Sequence, residues 1–293
     1  MYVILEIIQT ICYLIYCIIE STIRIFVPEK KKSFAGKLVL VTGAGHGIGR
    51  ELSIQFSAIG ARLVLWDINK DNVESVVREI QENGGTATSY ICDVSKIDEI
   101  KSVADKVRRE IGDVDALVNN AGILHGAAFL TLTDEEIKRT IDINLLAYFW
   151  TCRQFLPPMI NRNSGHIVSV ASMAAKKGVA YLTDYAASKH GVEGFTDALS
   201  DEMRREGYDG LHFTTVFPMF VDTGMTKFAH DRLSKMLSPA EVASAVVEGV
   251  QRNKKSVYIP SNLDWSVRLG HLFPRKFVDE PTDLMYRGID PQK

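Results

Sequence analysis

The stretch Lys37–Gly49, KLVLVTGAGHGIG, passes from a run of apolar residues into a cluster of glycines. The apolar run predicts a buried strand over 37–44, and the apolar spacing that follows predicts an amphipathic helix ended by Gly60. Further β-branched runs predict strands at 62–68, 88–94, 115–122, 165–172, 211–218 and 256–260, with helices between them, including one long helix over 135–160. Strands that alternate with crossover helices form a parallel, doubly wound α/β sheet, the Rossmann fold.

The glycines lie where the first predicted strand ends and the first helix of the sheet begins. Glycine lets the chain turn tightly there, and it lets a diphosphate approach the main-chain amides at the positive end of the helix. This context predicts a dinucleotide site formed by Gly43, Gly45, Gly47, Ile48 and Gly49. Asp67 ends the second strand, where a carboxylate accepts hydrogen bonds from ribose hydroxyls and repels a 2′-phosphate. We therefore expect NAD, with NADP as the alternative because His46 and Arg50 lie beside the glycines.

Residues 2–27 depart from the pattern of an ordinary soluble domain. They are overwhelmingly apolar and are followed by PEKKK, an order of segments that does not fit a cleaved signal peptide. The longest charge-free stretch, Ile7–Ile19, has 13 residues, and the polar residues gather on one side of a helical wheel. The pattern suits a helix lying in the membrane interface as well as one crossing the bilayer, and a helix buried on the protein's own core is the alternative. We expect a membrane-anchor helix over 1–33 and a single Rossmann domain over 34–293.

The charge balance and the cysteines exclude several classes of protein. A formal net charge of −2, without a long basic run, gives no electrostatic surface for nucleic acid. The cysteines at 12, 17, 92 and 152 lack the spacing of a disulfide framework, so we expect reduced thiols in a protein that faces the cytosol. The histidines and cysteines show no metal-ligand spacing, and no metal site is predicted.

Tyr185 and Lys189 are four residues apart in DYAASKHG (184–191), with only small residues between them. On a helix this spacing places both side chains on one face, one turn apart. Removal of a proton from an alcohol needs a general base, and a tyrosine with a pKa of about 10 is a poor base at neutral pH. A neighbouring ammonium favours the phenolate, so we expect Lys189 to lower the pKa of Tyr185.

Together these motifs resemble the short-chain dehydrogenase/reductase superfamily over about residues 36–260: the glycine turn, CDV (92–94), NNAG (119–122), Asn144, Ser172 and the Tyr185–Lys189 pair. The resemblance implies hydride transfer between a nicotinamide cofactor and an alcohol, with Tyr185 as the base and Ser172 as a donor to the substrate oxygen. It further implies that Lys189 binds the nicotinamide ribose and that Asn144 binds a water linking that lysine to solvent. Ser169 lies within its strand, so we expect it to be structural.

The same resemblance assigns six further residues to the cofactor site: Asp93, Asn119, Ala121, Gly122, Val221 and Thr223. Asp93 is expected near the adenine, and the residues of 119–122 along the adenosine side, with Asn120 bracing the sheet. Val221 and Thr223 are expected beside the nicotinamide carboxamide. Here the chain departs from the family, because Met219 stands where a glycine usually follows the proline of this turn.

With its apolar N-terminus, the chain resembles the membrane-bound retinol and 17β-hydroxysteroid dehydrogenases of endoplasmic reticulum and lipid droplets. This narrower resemblance implies a lipophilic alcohol or carbonyl substrate, a homodimer, and attachment to the cytosolic face of one or both of those membranes. The alternatives are a catalytically idle membrane or lipid-droplet coat protein and an NADPH-dependent carbonyl or ketoacyl reductase. Near the C-terminus we expect a substrate lid or a packed helix over 224–237, and a membrane contact or dimer cover around Trp265 and Leu269.

Overall fold

The apolar runs of the sequence lie side by side in one parallel sheet. The structure is a computed structural model that describes residues 2–27, 29–224, 229–231, 236–270, 273–274 and 286–289. Within these residues the sheet has seven strands: β1 (Leu38–Thr42), β2 (Arg62–Asp67), β3 (Thr86–Ile91), β4 (Ala116–Asn119), β5 (Gly165–Val170), β6 (Leu211–Pro218) and β8 (Ser256–Ile259). A separate antiparallel pair is formed by β7 (Ala229–Asp231) and β9 (Tyr286–Ile289).

The strand order of the large sheet is β3-β2-β1-β4-β5-β6-β8. The chain therefore builds outward from β1 in one direction, returns to the centre at β4, and then builds outward in the other direction. Val39 of β1 pairs with Ala116 of β4 at this point of reversal. A parallel doubly wound sheet binds ligands at such a point, outside the carboxyl ends of its strands. The predicted parallel doubly wound α/β sheet is confirmed, and the glycine turn after β1 lies at that position.

Eight helices are described after the first strand: α2 (Gly47–Ala58), α3 (Lys70–Glu82), α4 (Ile97–Glu110), α5 (Asp134–Ile141), α6 (Ala147–Asn161), α7 (Thr183–Arg205), α8 (Pro239–Gln251) and α9 (Leu263–Gly270). They cover the two faces of the sheet. Alternate residues of β1 point to opposite faces, so Leu40 packs with α4, α6 and α7, while Val41 packs with α2, α3 and α8. Both faces of the central strands are buried, which explains their nearly continuous apolar sequence.

The long helix predicted over 135–160 is divided into three parts. Its first part, α5, starts with a capping box in which Thr133 and Glu136 satisfy each other's main-chain amides. A single π-helical turn, Asp142–Leu146, then separates α5 from α6. Such turns occur mostly within α-helices and frequently at functional sites. The apolar spacing of the sequence does not reveal this turn, because it involves tertiary contacts of Asn144 that are described below.

The N-terminal segment forms one helix, α1 (Tyr2–Phe26), and belongs to a separate compact unit, Met1–Lys32, while Ser33–Lys293 forms the other. Large apolar side chains of α1 are exposed over half or more of their surface, among them Ile4 (64%) and Leu14 (59%). Of the helices in the described residues, none has both the length and the apolar character needed to cross a membrane. The four cysteines of the chain are free thiols.

Candidate active site

The turn after β1 depends on its glycines for its shape. Gly43 and Gly47 have φ angles of +66° and +56°, a region that side chains with a Cβ disfavour. A Cβ on Gly49 would lie 2.0 Å from the carbonyl oxygen of Gly43, so only glycine lets α2 start this close to the end of β1. The side chain of His46, the N-cap residue, makes no capping hydrogen bond to α2. The start of α2 is therefore a place where an anionic ligand can approach main-chain amides.

An open cavity of about 270 Å³ lies beside the start of α2. It is lined by His46, Gly47, Arg50, Glu51, Asp222, Thr223, Gly224 and Pro239. A Cβ on Gly47 would lie 3.0 Å from Cγ2 of Thr223, so the glycine turn meets the segment after β6. The main-chain amides, the absence of side-chain bulk at the glycines and the adjoining cavity fit the diphosphate and nicotinamide end of a dinucleotide.

Asp67 ends β2 and faces the same turn. Its Oδ2 accepts a hydrogen bond of 2.8 Å from the amide of Gly45, and its Oδ1 accepts one of 2.8 Å from the amide of Asn69. A carboxylate has about four acceptor positions, so both oxygens retain capacity for a ribose hydroxyl. Arg50, which lies near the same turn, forms ion pairs with Glu51 and with Glu79, whose Oε2 is 2.6 Å from Nη2. The guanidinium is thus already paired with two carboxylates.

The side chain of Asn119 lies inside the core. The side chain is only 1% exposed, and its Oδ1 accepts a 2.7 Å hydrogen bond from the hydroxyl of Thr151 on α6. The side chain therefore links β4 to α6 inside the core. Asn120, expected to brace the sheet, donates to the carbonyls of Thr42 and Gly43 at 3.0 and 3.2 Å.

Gly122 lies elsewhere than predicted. A Cβ built on it would be 3.3 Å from Oδ1 of Asn144 and 3.6 Å from Nζ of Lys189. The chain has therefore passed from the adenosine side to the catalytic side within the NNAG motif. Ala121 lies between these sides, where its amide donates to the hydroxyl of Thr42 at 3.1 Å and its Cα faces Gly43.

Asp93 and Val221 lie in loops that follow strand ends. The Asp93 carboxylate accepts hydrogen bonds from the amide and the hydroxyl of Ser95, at 3.0 and 2.7 Å. Burial acts to raise the pKa of Asp93, but those hydrogen bonds and the charge of Lys96 together lower it.

Val221 and its neighbours pair with Leu237, whose carbonyl accepts from the amide of Asp222 at 2.8 Å. Of the expected lid, residues 225–228 and 232–235 lie outside the described residues.

Tyr185 and Lys189 lie on one face of α7, as their spacing predicts. The Lys189 ammonium is 5.6 Å from the centre of the Tyr185 ring and donates a 2.9 Å hydrogen bond to the carbonyl of Val170. Burial lowers the pKa of Lys189 from its ordinary 10.5 to about 7. Burial raises the pKa of Tyr185, while a hydrogen bond with Ser172 acts in the opposite direction.

In the protein alone the net shift of the Tyr185 pKa is upward, because burial outweighs the groups that favour the phenolate. Lys189 is buried and Tyr185 is partly buried, and desolvation disfavours the phenolate of the tyrosine and the ammonium of the lysine. Nζ is also directed at the Val170 carbonyl. To favour the phenolate, the site needs a further positive charge beside the phenol, such as an oxidised nicotinamide ring.

Asn144 connects the catalytic helix to the segment after β4. The side chain is fully buried in the π-helical turn, where its Oδ1 accepts from the amide of Ile123 and its Nδ2 donates to the Ile123 carbonyl, both at 2.8 Å. Nδ2 also contacts Ser188 Oγ at 3.2 Å, and Ser188 donates to the Tyr185 carbonyl at 2.7 Å. Ser188, whose small side chain the Tyr185–Lys189 spacing does not single out, thus joins Asn144 to α7 through its hydroxyl.

Apolar side chains surround the other side of Tyr185. Leu182, which is 2% exposed, packs with Leu124, Val179, Tyr185 and Phe220. These residues come from three separate segments, so no sequence spacing predicts that they meet.

Ser169 is buried inside the core, where it accepts a 2.9 Å hydrogen bond from Thr196. Among the described residues, no cluster of three or more His, Cys, Asp or Glu side chains is placed to bind a metal.

Comparison with known proteins finds short-chain dehydrogenases by family model, by sequence and by structure. The model of the short chain dehydrogenase family matches residues 37–233. The 17-beta-hydroxysteroid dehydrogenase 13 of Homo sapiens is 41% identical over 276 residues, 94% of this chain and 92% of that protein. The estradiol 17-beta-dehydrogenase 11 of Mus musculus is 40% identical over 274 residues, 94% and 92% of the two chains. A crystal structure of a short chain dehydrogenase/reductase from Burkholderia phymatum in complex with NAD is 25% identical, with a TM-score of 0.74 and coverage of 89% and 99%.

The buried Lys189 predicts how stability depends on pH. Its pKa is about 7 in the folded protein and close to the ordinary 10.5 when unfolded, so the unfolded chain binds more protons between these values. The free energy of unfolding should therefore rise with pH in this window. We expect the wild type to gain about 2 kcal/mol relative to Lys189→Met between about pH 7 and pH 9, measured by urea unfolding. Parallel curves for the two proteins would contradict the depressed pKa.

Proposed function

The chain belongs to the short-chain dehydrogenase family, and we propose that it transfers hydride between a nicotinamide cofactor and a lipophilic alcohol or carbonyl compound. It is an oxidoreductase that depends on NAD(P). One observation carries the proposal: Tyr185 lies between an apolar group of side chains and the polar residues Ser172 and Lys189. A lipophilic molecule that packs against the apolar group presents its oxygen to the phenol.

Residues of the chain bind the cofactor, orient the substrate and transfer the proton. The bound nicotinamide supplies the carbon that accepts or gives the hydride. Tyr185 takes the hydroxyl proton during oxidation and returns it during reduction. Ser172 donates to the substrate oxygen, which orients it and stabilises negative charge there. Lys189 lies beside Gly122 and Asn144, where its ammonium can bind a ribose hydroxyl and can relay a proton from Tyr185 towards Asn144.

We infer that the substrate is a bulky alcohol of the hydroxysteroid or retinol type. The apolar group at Tyr185 favours such a molecule over a sugar, because burying unpaired hydroxyl groups there is costly. The similarity to proteins named as 17-beta-hydroxysteroid dehydrogenases supports the same inference. The four residues Asn144, Ser172, Tyr185 and Lys189 are all present, which argues against an idle coat protein.

We infer NAD as the preferred form of the cofactor. Asp67 faces the glycine turn through the amide of Gly45, so its charge opposes a 2′-phosphate at that place. Arg50, the nearest candidate to attract that phosphate, is paired with Glu51 and Glu79. The same two observations disfavour the NADPH-dependent reductase.

We propose that residues 1–33 attach the enzyme to the cytosolic face of endoplasmic reticulum or lipid droplets. Exposed isoleucine and leucine side chains run along α1, and Lys30, Lys31 and Lys32 begin four residues after its end. Burying one such apolar side chain contributes roughly 1.5 kcal/mol or more, and lysines next to a membrane are attracted by anionic headgroups. A lipophilic substrate is concentrated in the same membranes, so attachment brings the enzyme to its substrate.

We propose a homodimer as the assembled form. Phe149 of α6 and Phe195 of α7 are in contact, with ring centres 4.0 Å apart, and Phe149 is 36% exposed. Aromatic residues on a helical surface are enriched in interfaces between protein chains. A second copy of the chain that packs on α6 and α7 would cover this pair.

Tyr185→Phe should reduce turnover at least about 100-fold, because general acid–base catalysis is worth that much or more. We expect NAD affinity to stay within about twofold, since only the ionisable oxygen is removed. The assay measures NADH formation by membrane-bound protein with a panel of hydroxysteroids, retinol and other lipid alcohols, using NAD and NADP in parallel.

Tyr90→Phe is the matched control for this variant. Its hydroxyl lies on β3 and donates to Glu110, away from the site, so its loss should not change turnover. A Tyr185→Phe enzyme that keeps more than a few per cent of the wild-type rate would show that Tyr185 does not transfer the proton. A wild type inactive on the whole panel with both cofactors would favour the coat protein.

Asp67→Asn should shift cofactor preference towards NADP by at least about tenfold, because a like charge a few ångströms from the 2′-phosphate is removed. Asparagine retains an acceptor oxygen for the amide of Gly45. Asp71→Asn removes the same charge from the exposed start of α3 and serves as the control. The measurement is the dissociation constant of each cofactor by fluorescence titration. A wild type that binds NADP more tightly than NAD would contradict the assignment and direct attention to His46.

A chain that starts at Ser33 should leave the membrane fraction, remain folded and still bind NAD. The structure places Ser33–Lys293 in one compact unit that contains the whole parallel sheet. Flotation with liposomes, circular dichroism and NAD titration measure the three properties. Retention on membranes would identify the exposed Trp265 region of α9 as the attachment, and unfolding would show that the N-terminal segment belongs to the core.

A further inference from the structure

We propose that Asp184 is a positioning residue that holds the substrate-side segment 123–127 against the catalytic helix through Thr140 and His125. The inference rests on the proposed function, since it names what sets the fit of a lipophilic alcohol at Tyr185. Asp184 is the residue immediately before that tyrosine in α7. None of the three residues belongs to the proton-transfer group described above.

The three side chains join three elements of the fold. Asp184 is 5% exposed, and its Oδ2 accepts a 2.7 Å hydrogen bond from the hydroxyl of Thr140, in the last turn of α5. Nδ1 of His125, in the segment after β4, lies 3.1 Å from the same hydroxyl and 3.7 Å from Oδ2 of Asp184. The network therefore connects the start of α7 to α5 and to segment 123–127.

The network is costly for the fold, which suggests a role other than stability. Oδ1 of Asp184 is buried and has no hydrogen-bond partner among the described residues. A buried carboxylate needs compensation, which here comes from the Thr140 hydroxyl that donates to Oδ2 and from the positive end of α7. An apolar residue at position 184 would avoid that cost but would leave His125 and Thr140 without this connection.

Segment 123–127 is bonded to the catalytic region at its other positions as well. Both main-chain groups of Ile123 are bonded to Asn144, and the amide of Ala127 donates to the carbonyl of Tyr181 at 3.1 Å. His125 lies between Ile123 and Ala127 in the segment, and its side chain connects the segment to Thr140 and Asp184. Tyr181 has a φ of +65°, a strained conformation for a tyrosine that the surrounding contacts have to maintain.

Leu124 lies next to His125 and packs in the apolar group with Leu182 and Tyr185. The position of Leu124 relative to the phenol therefore depends on how firmly segment 123–127 is bonded to α7. A bulky alcohol contacts this apolar group, whereas a small alcohol bound at Ser172 and Tyr185 does not extend to it. Loss of the network should weaken the binding of the bulky alcohol and leave proton transfer intact.

The test uses the full chain with NAD, with estradiol as the bulky alcohol and 2-propanol as the small one. Thr140→Val and Asp184→Leu should each raise KM for estradiol at least about fivefold, the worth of one buried hydrogen bond, with kcat changed less than about twofold. The kinetic constants for 2-propanol should not change. Thr140→Ser retains the hydroxyl and should restore the wild-type KM.

Thr196→Val is the matched control, because Thr196 is a buried threonine of α7 whose hydroxyl bonds to Ser169 and not to segment 123–127. It should leave KM for estradiol unchanged. If this control raises KM as much as Thr140→Val, or if Thr140→Ser does not restore it, the effect is general loosening of the domain and the proposal is wrong. A fall in kcat without a change in KM is equally contrary to it.

Hydrogen exchange separates failure of this proposal from failure of the proposed function. In the NAD-bound protein without substrate, Thr140→Val and Asp184→Leu should accelerate exchange of the amides in 123–128 at least about fivefold, because a hydrogen bond that protects the segment is lost. Thr196→Val should not do so. If the wild type oxidises neither alcohol, the proposed function fails while the exchange result still decides the network. Unchanged exchange in both variants would overturn the positioning role.

Discussion

The contact between the end of β1 and the start of α2 is the constraint from which the rest of the site follows. Gly49 lies so close to the Gly43 carbonyl that no side chain fits between them. Asn120, which follows the neighbouring strand β4, donates to the carbonyls of Thr42 and Gly43 and so holds the turn in place. Because the strand order reverses between β1 and β4, this turn stands at the opening that a parallel sheet offers to a ligand.

Lys189 and Tyr185 occupy positions that folding alone would not favour. Lys189 is buried and Tyr185 is partly buried, and burial shifts the pKa of each towards its neutral form. A group whose pKa is moved in this way responds strongly to a nearby charge, since water no longer screens it. The site is therefore prepared for a cofactor that brings a positive ring next to the phenol. Asn144, Ser188 and the Val170 carbonyl fix the positions of both groups.

The two sides of Tyr185 differ in chemistry and in the way they are held. On the proposed cofactor side, close contacts at the glycines and hydrogen bonds to main-chain groups fix the shape of the turn between β1 and α2. On the substrate side proposed above, Leu124, Leu182 and Phe220 come from separate segments, and a main-chain hydrogen bond between Ala127 and Tyr181 joins the first two. Such a boundary tolerates variation in the substrate without disturbing the cofactor. It is consistent with a family in which one catalytic group acts on many alcohols, each selected by loops around a common sheet.

The amino-acid sequence by itself determined the seven parallel strands, the glycine turn, Asp67 at the end of β2 and the Tyr185–Lys189 pair on one helical face. Each of these depends on residues close together in the chain, where periodicity and steric limits act directly. Tertiary structure alone decided that Asn119 is buried against α6 and that Gly122 lies at the catalytic end. It alone decided that a π-helical turn carries Asn144, and that burial outweighs the effect of Lys189 on the phenol. Those features arise from contacts between residues distant in sequence and from their exclusion from water, and no local pattern contains that information.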